Sequence, residues 1–204
     1  MKDFGFYLVM TNPAVGYEKC AEAAVKAGVK MLQLRMKHVD ERVVAQTALR
    51  VKAITDGTET NFILNDSPQL AADTGADGVH VGQTDMPPGE VRRLFPQIKI
   101  VGLSTHNMEQ MRSAISQPVD YVGVGPVYAT PTKDIPDPVL TPAGAGEMIA
   151  AAPFPAVAIG GINLANLAEV KAAGARNFAV VREVCLSQDP YAAIRRLQEA
   201  FANA

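Results

Sequence analysis

Amides, cations and carboxylates recur in this sequence where apolar runs stop. The stretch Gln33-Leu34-Arg35-Met36-Lys37 continues the run that starts at Met31, and a period of two puts Gln33, Arg35 and Lys37 on one face of a strand. Asn65-Asp66 ends the run Phe62-Ile63-Leu64, Gln83-Thr84-Asp85 follows Val79-His80-Val81-Gly82, and Ser104-Thr105-His106 follows Val101-Gly102-Leu103. Another run, Tyr121 to Val127, opens into a proline-rich loop that holds Thr130, Thr132 and Lys133 together. Mg²⁺ keeps several of its waters and usually takes one or two carboxylates besides substrate phosphate oxygens. Asp66 and Asp85, facing Arg35, Lys37 and Lys133, are therefore the set that a metal-bound polyphosphate would use. Later in the chain, Gly160-Gly161 follows Val157-Ala158-Ile159, and Val181-Arg182 follows Ala179-Val180. Paired glycines let an anion approach the backbone with no side chain between.

Each group taken alone also has a plainer reading. Asn65-Asp66 before Ser67-Pro68 is a helix-capping signal. Arg35 and Lys37 suit a solvated strand end, and Gly160-Gly161 a tight turn. His80 and His106 read as structural, since neither has a second histidine at metal-ligand spacing. Convergence raises the functional reading, because several strand ends carry compatible charges.

The elements that must bring these residues together follow from the apolar pattern. Short runs suited to buried strands (6–10, 31–35, 61–65, 78–82, 98–104, 121–127, 156–160 and 177–181) alternate with segments of helical period. The stretches KAGVKMLQL, DTGADGVHV and AAGARNFAV repeat one design, in which a helix ends on glycine, turns and enters a strand. Eight such units predict a single-domain (β/α)₈ TIM barrel over residues 1–204. A doubly wound open sheet is the alternative, disfavoured because no G-x-G-x-x-G follows any of these strands. In a barrel, residues at the carboxyl ends of strands face the active site, and a phosphate site often lies between the loops after strands seven and eight.

Composition narrows the partners. With 19 Lys and Arg against 21 Asp and Glu, the net charge of -2 attracts neither nucleic acid nor an anionic membrane as main partner. Cys20 and Cys185 are too few for a disulfide framework or a zinc site and point to a reducing cytoplasm as small buried residues. The opening MKDFGFYLVMTNP reads as a first strand, and no segment approaches the ~20 apolar residues of a membrane span. Assembly is left open, homo-oligomers included.

In order and with barrel-compatible spacing, QLRMK (33–37), ND (65–66), GVHVGQTD (78–85), GLSTH (102–106), GPVYATPTK (125–133) and AIGGI (158–162) resemble the motifs of the thiamine-phosphate synthase family. That likeness covers nearly the whole chain. It implies a Mg²⁺-dependent transfer in which 4-amino-2-methyl-5-diphosphooxymethylpyrimidine loses diphosphate and a thiazole phosphate captures the methylene, giving thiamine phosphate. By matching motif, Gln33, Arg35, Lys37 and Asn65 would hold the pyrimidine diphosphate, Asp66 and Asp85 the Mg²⁺, and Ser104 and Lys133, as catalytic groups, the diphosphate end. Thr130, Thr132, Gly161, Val181 and Arg182 would face the thiazole phosphate. The family's usual Val-Val-Ser departs here to Val180-Val181-Arg182, so Arg182 either adds a phosphate contact or fills the pocket. A thiazole tautomerase-like relative and a non-catalytic phosphate-binding barrel are the competing readings. The complete set Asn65, Asp66, Asp85 and Lys133 argues against the tautomerase-like reading, and an assay with both substrates and Mg²⁺ separates all three.

Overall fold

A computed structural model describes residues 2–130 and 137–204. Within them eight strands close into one parallel barrel in chain order: β1 (Phe6–Met10), β2 (Met31–Leu34), β3 (Asn61–Asn65), β4 (Gly78–Val81), β5 (Ile100–Thr105), β6 (Tyr121–Val124), β7 (Ala156–Ala158) and β8 (Asn177–Val180). Helices α1 (Tyr17–Lys26), α2 (Glu41–Thr55), α3 (Pro68–Asp73), α4 (Pro88–Leu94), α5 (Met108–Ile115), α6 (Thr141–Ala151) and α7 (Leu167–Ala172) follow the first seven strands. After β8 come a short α8 (Arg182–Cys185) and α9 (Pro190–Asn203). The expected (β/α)₈ barrel is the observed fold, with α8 added to the pattern. Asp189 and Pro190 separate the last two helices: the Asp189 side chain accepts from the Ala192 amide at 2.9 Å, and Pro190 starts the new helix where a missing N–H does no harm.

Strand residues alternate between two buried environments, which is why the strands read as nearly unbroken apolar runs. Leu8 and Met10 pack outward against the helices, whereas Tyr7 and Val9 point into the barrel with Met31, Ile63, Ile100, Tyr121, Val157 and Ala179. Helix starts are set by short polar side chains. Asp40, Ser67 and Asn107 accept from the amides of Arg42, Leu70 and Gln110 at 2.9, 3.2 and 2.9 Å, each satisfying an N–H that its helix cannot. Helix ends use the repeated glycine: Gly28, Gly75 and Gly174 lie at φ of +72°, +69° and +98° after α1, α3 and α7, a region that side chains disfavour. Among the described residues no helix is long and apolar enough to cross a membrane.

Candidate active site

A cavity of about 1500 Å³ opens at the carboxyl ends of the strands. Gln33, Arg35, Lys37, Asn65, Asp66, Asp85, Ser104, Thr130, Gly161, Val181 and Arg182 all line it. Thr132 and Lys133 fall outside the described residues, although Thr130 before them and Asp137 after them both border the cavity.

On one side stands a group of opposite charges. Asp66 takes a φ of +65°, uncommon for a residue with a side chain, and its amide donates to the His80 carbonyl at 2.8 Å. Its carboxylate meets the Lys37 ammonium through Oδ2. The helix-capping reading of Asn65-Asp66 is therefore corrected: Ser67 caps α3 and leaves Asp66 to the cavity. On the neighbouring strand end the Gly82 amide donates to Asp85 Oδ2 at 2.7 Å, which fixes that carboxylate in its turn. Among the described residues Asp66 Oδ1 and Asp85 Oδ1 have no hydrogen-bond partner. No group of three or more His, Cys, Asp and Glu able to hold a metal occurs among them either. The donors thus fail the pattern of a zinc site built from protein ligands. Two carboxylates do fit Mg²⁺, which takes most of its shell from water and ligand oxygens.

The floor of the cavity is polar. The Gln33 amide nitrogen donates to the Tyr7 hydroxyl at 2.8 Å, and the Tyr7 and Tyr121 hydroxyls lie 2.9 Å apart. His80 then bridges two neighbours, with Nδ1 2.9 Å from the Tyr121 hydroxyl and Nε2 2.9 Å from Ser104 Oγ. Burial pushes both phenols well above the ordinary tyrosine value, so they stay neutral. Glycine makes this packing feasible: a Cβ on Gly102 would sit 2.2 Å from Tyr121 Cζ and 2.5 Å from His80 Nδ1. The ring of His80, read from sequence as structural, touches Ser104 directly. Tyr7 and Tyr121 were not singled out from sequence. Their signal was a polar tip at the inward phase of an apolar strand, where a hydroxyl requires a partner.

Opposite, the strand-seven end meets the segment that follows β6. The Val127 and Tyr128 amides donate to the Ile159 and Gly160 carbonyls at 2.9 and 3.0 Å. Gly160 and Gly161 take φ of +100° and +64°, and a Cβ on Gly161 would lie 2.7 Å from both Tyr128 Cβ and the Ala129 oxygen. The tight turn is real, and the neighbour that demands glycine is the chain at 126–129. Tyr128 ties this segment to α7 by donating to Glu169 Oε2 at 2.9 Å. His106 contacts its base and its far end, with Nδ1 donating to the Gly125 carbonyl at 2.6 Å and Nε2 3.6 Å from Asp137 Oδ2. Arg182 opens α8 and forms no ion pair with Glu183. Arg196 of α9, unnoticed in the sequence, also lines the cavity.

Residues 6–184 match the profile of the family TMP-TENI, thiamine monophosphate synthase. The chain is similar to a thiamine-phosphate synthase of Vibrio campbellii, with 40% identity over 195 residues, 95% of this chain and 96% of the relative. Its likeness to one of Thermus thermophilus is 43% over 204 residues, 95% of each. Among solved structures, a thiamine phosphate pyrophosphorylase from Pyrococcus furiosus superimposes with a TM-score of 0.89 at 25% identity, covering 98% of this chain and 96% of that one.

Proposed function

The chain belongs to the thiamine monophosphate synthase family, and we propose that this transferase joins a pyrimidine diphosphate to a thiazole phosphate, with thiamine phosphate and diphosphate as products. The observation that carries the reading is the meeting of Arg35, Lys37, Asp66, Asp85 and Ser104 around one cavity floored by Gln33. In the proposed reaction the bond between the pyrimidine methylene and the diphosphate breaks with its electron pair leaving on oxygen. The ring stabilises the remaining cation, and the thiazole nitrogen forms the new bond. Such a reaction needs no protein nucleophile; it needs charge growing on the leaving group to be met by fixed donors.

Gln33 and Asn65 are suited to orient the pyrimidine diphosphate, and Arg35, Lys37 and Lys133 to hold its anionic end. Ser104 adds a neutral donor there. Asp66 and Asp85 would hold Mg²⁺, and bound Mg²⁺ would neutralise charge on the diphosphate oxygens. Lys37, now paired with Asp66, lines the same cavity and would exchange that partner for a diphosphate oxygen. Thr130, Thr132, Gly161, Val181 and Arg182 are the proposed contacts for the thiazole phosphate. The two buried free cysteines suit a reducing compartment, so the cytoplasm is the proposed setting.

The test is to mix purified protein with both substrates and Mg²⁺ and to follow thiamine phosphate and diphosphate together. Equimolar formation of both is expected. Absence of both products, with either substrate still bound, would leave a non-catalytic barrel as the better account.

A further inference from the structure

Gln33, Tyr7, Tyr121, His80 and Ser104 form an unbroken line of hydrogen bonds across the inside of the barrel, each contact 2.8 or 2.9 Å long. All five residues border the cavity, and the two phenols are the most covered, with Tyr7 2% and Tyr121 0% exposed. We infer that this line is a directional relay: it fixes His80 with its hydrogen on Nε2 and turns the Ser104 hydroxyl hydrogen into the cavity, which makes His80, Tyr121 and Tyr7 positioning residues for Ser104.

The direction follows from counting hydrogens. An amide nitrogen only donates, so the Tyr7 oxygen accepts from Gln33. Among the described residues the Tyr7 hydrogen then has one acceptor, the Tyr121 oxygen. Tyr121 must in turn donate to His80 Nδ1, which has to be bare, and a neutral imidazole keeps its hydrogen on the other nitrogen. Nε2–H donates to Ser104 Oγ, and the serine's own hydrogen is left for a ligand. Reversing the order while Gln33 still donates would strand a buried phenol hydrogen without an acceptor, a costly arrangement. The burial that keeps both phenols neutral agrees with this, since a phenolate could not pass the direction on.

Space has been cleared for the line. Gly102 leaves room for Tyr121 and His80, and a Cβ on Gly123 would be 3.5 Å from His80 Cε1. The consequence is that the strength of Ser104 as a donor depends on a residue chain ending at Gln33. A hydroxyl that accepts one hydrogen bond donates a stronger one, so Ser104 meets negative charge better with the relay intact. That kinetic consequence rests on the proposed synthase reaction; the tautomer of His80 does not.

Nitrogen-15 NMR of the full chain near pH 8, with His80 assigned by its loss in His80→Asn, reads the tautomer directly. A bare Nδ1 and a protonated Nε2 are expected; a protonated Nδ1 would overturn the relay whether or not the protein makes thiamine phosphate. Kinetics test the coupling. Tyr121→Phe should lower kcat about tenfold, the scale of one neutral hydrogen bond, with the KM for the pyrimidine diphosphate within about twofold of its original value. In a Ser104→Ala background the same substitution should do nothing further, because its effect runs through Ser104. Losses that simply multiply would show that Tyr121 acts by packing and would refute the coupling. Tyr7→Phe cuts the line at another link and must behave in the same way, so the test survives if Tyr121→Phe fails to fold.

Discussion

At the scale of single residues, the cavity's charges are held in conformations that a merely stable barrel would have no use for. Asp66 keeps a left-handed backbone although Ser67 already supplies the helix cap, and such strain tends to gather at ligand sites. Asp85→Ala is expected to lose most turnover while far-UV circular dichroism stays unchanged, because residues at the upper face of a barrel serve chemistry more than stability. Full turnover in chelator-treated protein would remove the metal role from both aspartates. Arg182 offers a separate test, since its guanidinium lines the cavity with no ion pair to Glu183. Arg182→Ser should weaken thiazole-phosphate binding about tenfold or more, as loss of a charged hydrogen bond does, and leave the pyrimidine diphosphate's affinity nearly unchanged in calorimetric titrations. Tighter acceptor binding would mark the arginine as an obstruction.

At the scale of elements, the segment after β6 is positioned by contacts with three neighbours: the β7 end through two amides, α7 through Tyr128 and Glu169, and the β5 end through His106. Gly161 is where the first of these is tightest. Gly161→Ala combines a φ of +64° with a Cβ 2.7 Å from the Ala129 oxygen, so the segment must move. The backbone strain alone is about 1–2 kcal/mol. Thermal unfolding should fall accordingly, and the KM for thiazole phosphate should rise more than that for the pyrimidine diphosphate. Equal effects on both substrates would mean that the segment does not border one substrate in particular.

At the scale of the whole molecule, a barrel depends on its last strand finding its first. Asn177, 1% exposed, secures that seam: its side-chain oxygen accepts from the Phe4 and Gly5 amides at 2.7 and 3.0 Å, and its nitrogen donates to Asp3 Oδ1 at 2.9 Å and the Ala156 carbonyl at 3.3 Å. Asn177→Val keeps a strand-forming residue and removes all four contacts. Left-over buried polar groups cost about 1–3 kcal/mol, so the unfolding midpoint should drop by about 2–12 °C in calorimetry. An unchanged midpoint would show that the β1 to β8 backbone pairing suffices to close the barrel.

The order of the strands and of every helix but the short α8, the glycine-ended helices and the strand-end charges were readable from residues a few places apart. Period-two and helical periods are local properties, and each strand carries its own inward and outward phase. Gln33, Arg35 and Lys37 could be put on one face for that reason. What local pattern could not supply was the partner of each inward group. Tyr7 meets Tyr121 across 114 residues, His80 meets Ser104 across 24 and Phe4 meets Asn177 across 173. Lys37, not a helix end, claims Asp66. Phase says only that a side chain enters the barrel. Which side chain it touches there depends on the register of every strand around a closed sheet and on the room left by Gly102 and Gly123, and both exist only after the eighth strand has joined the first.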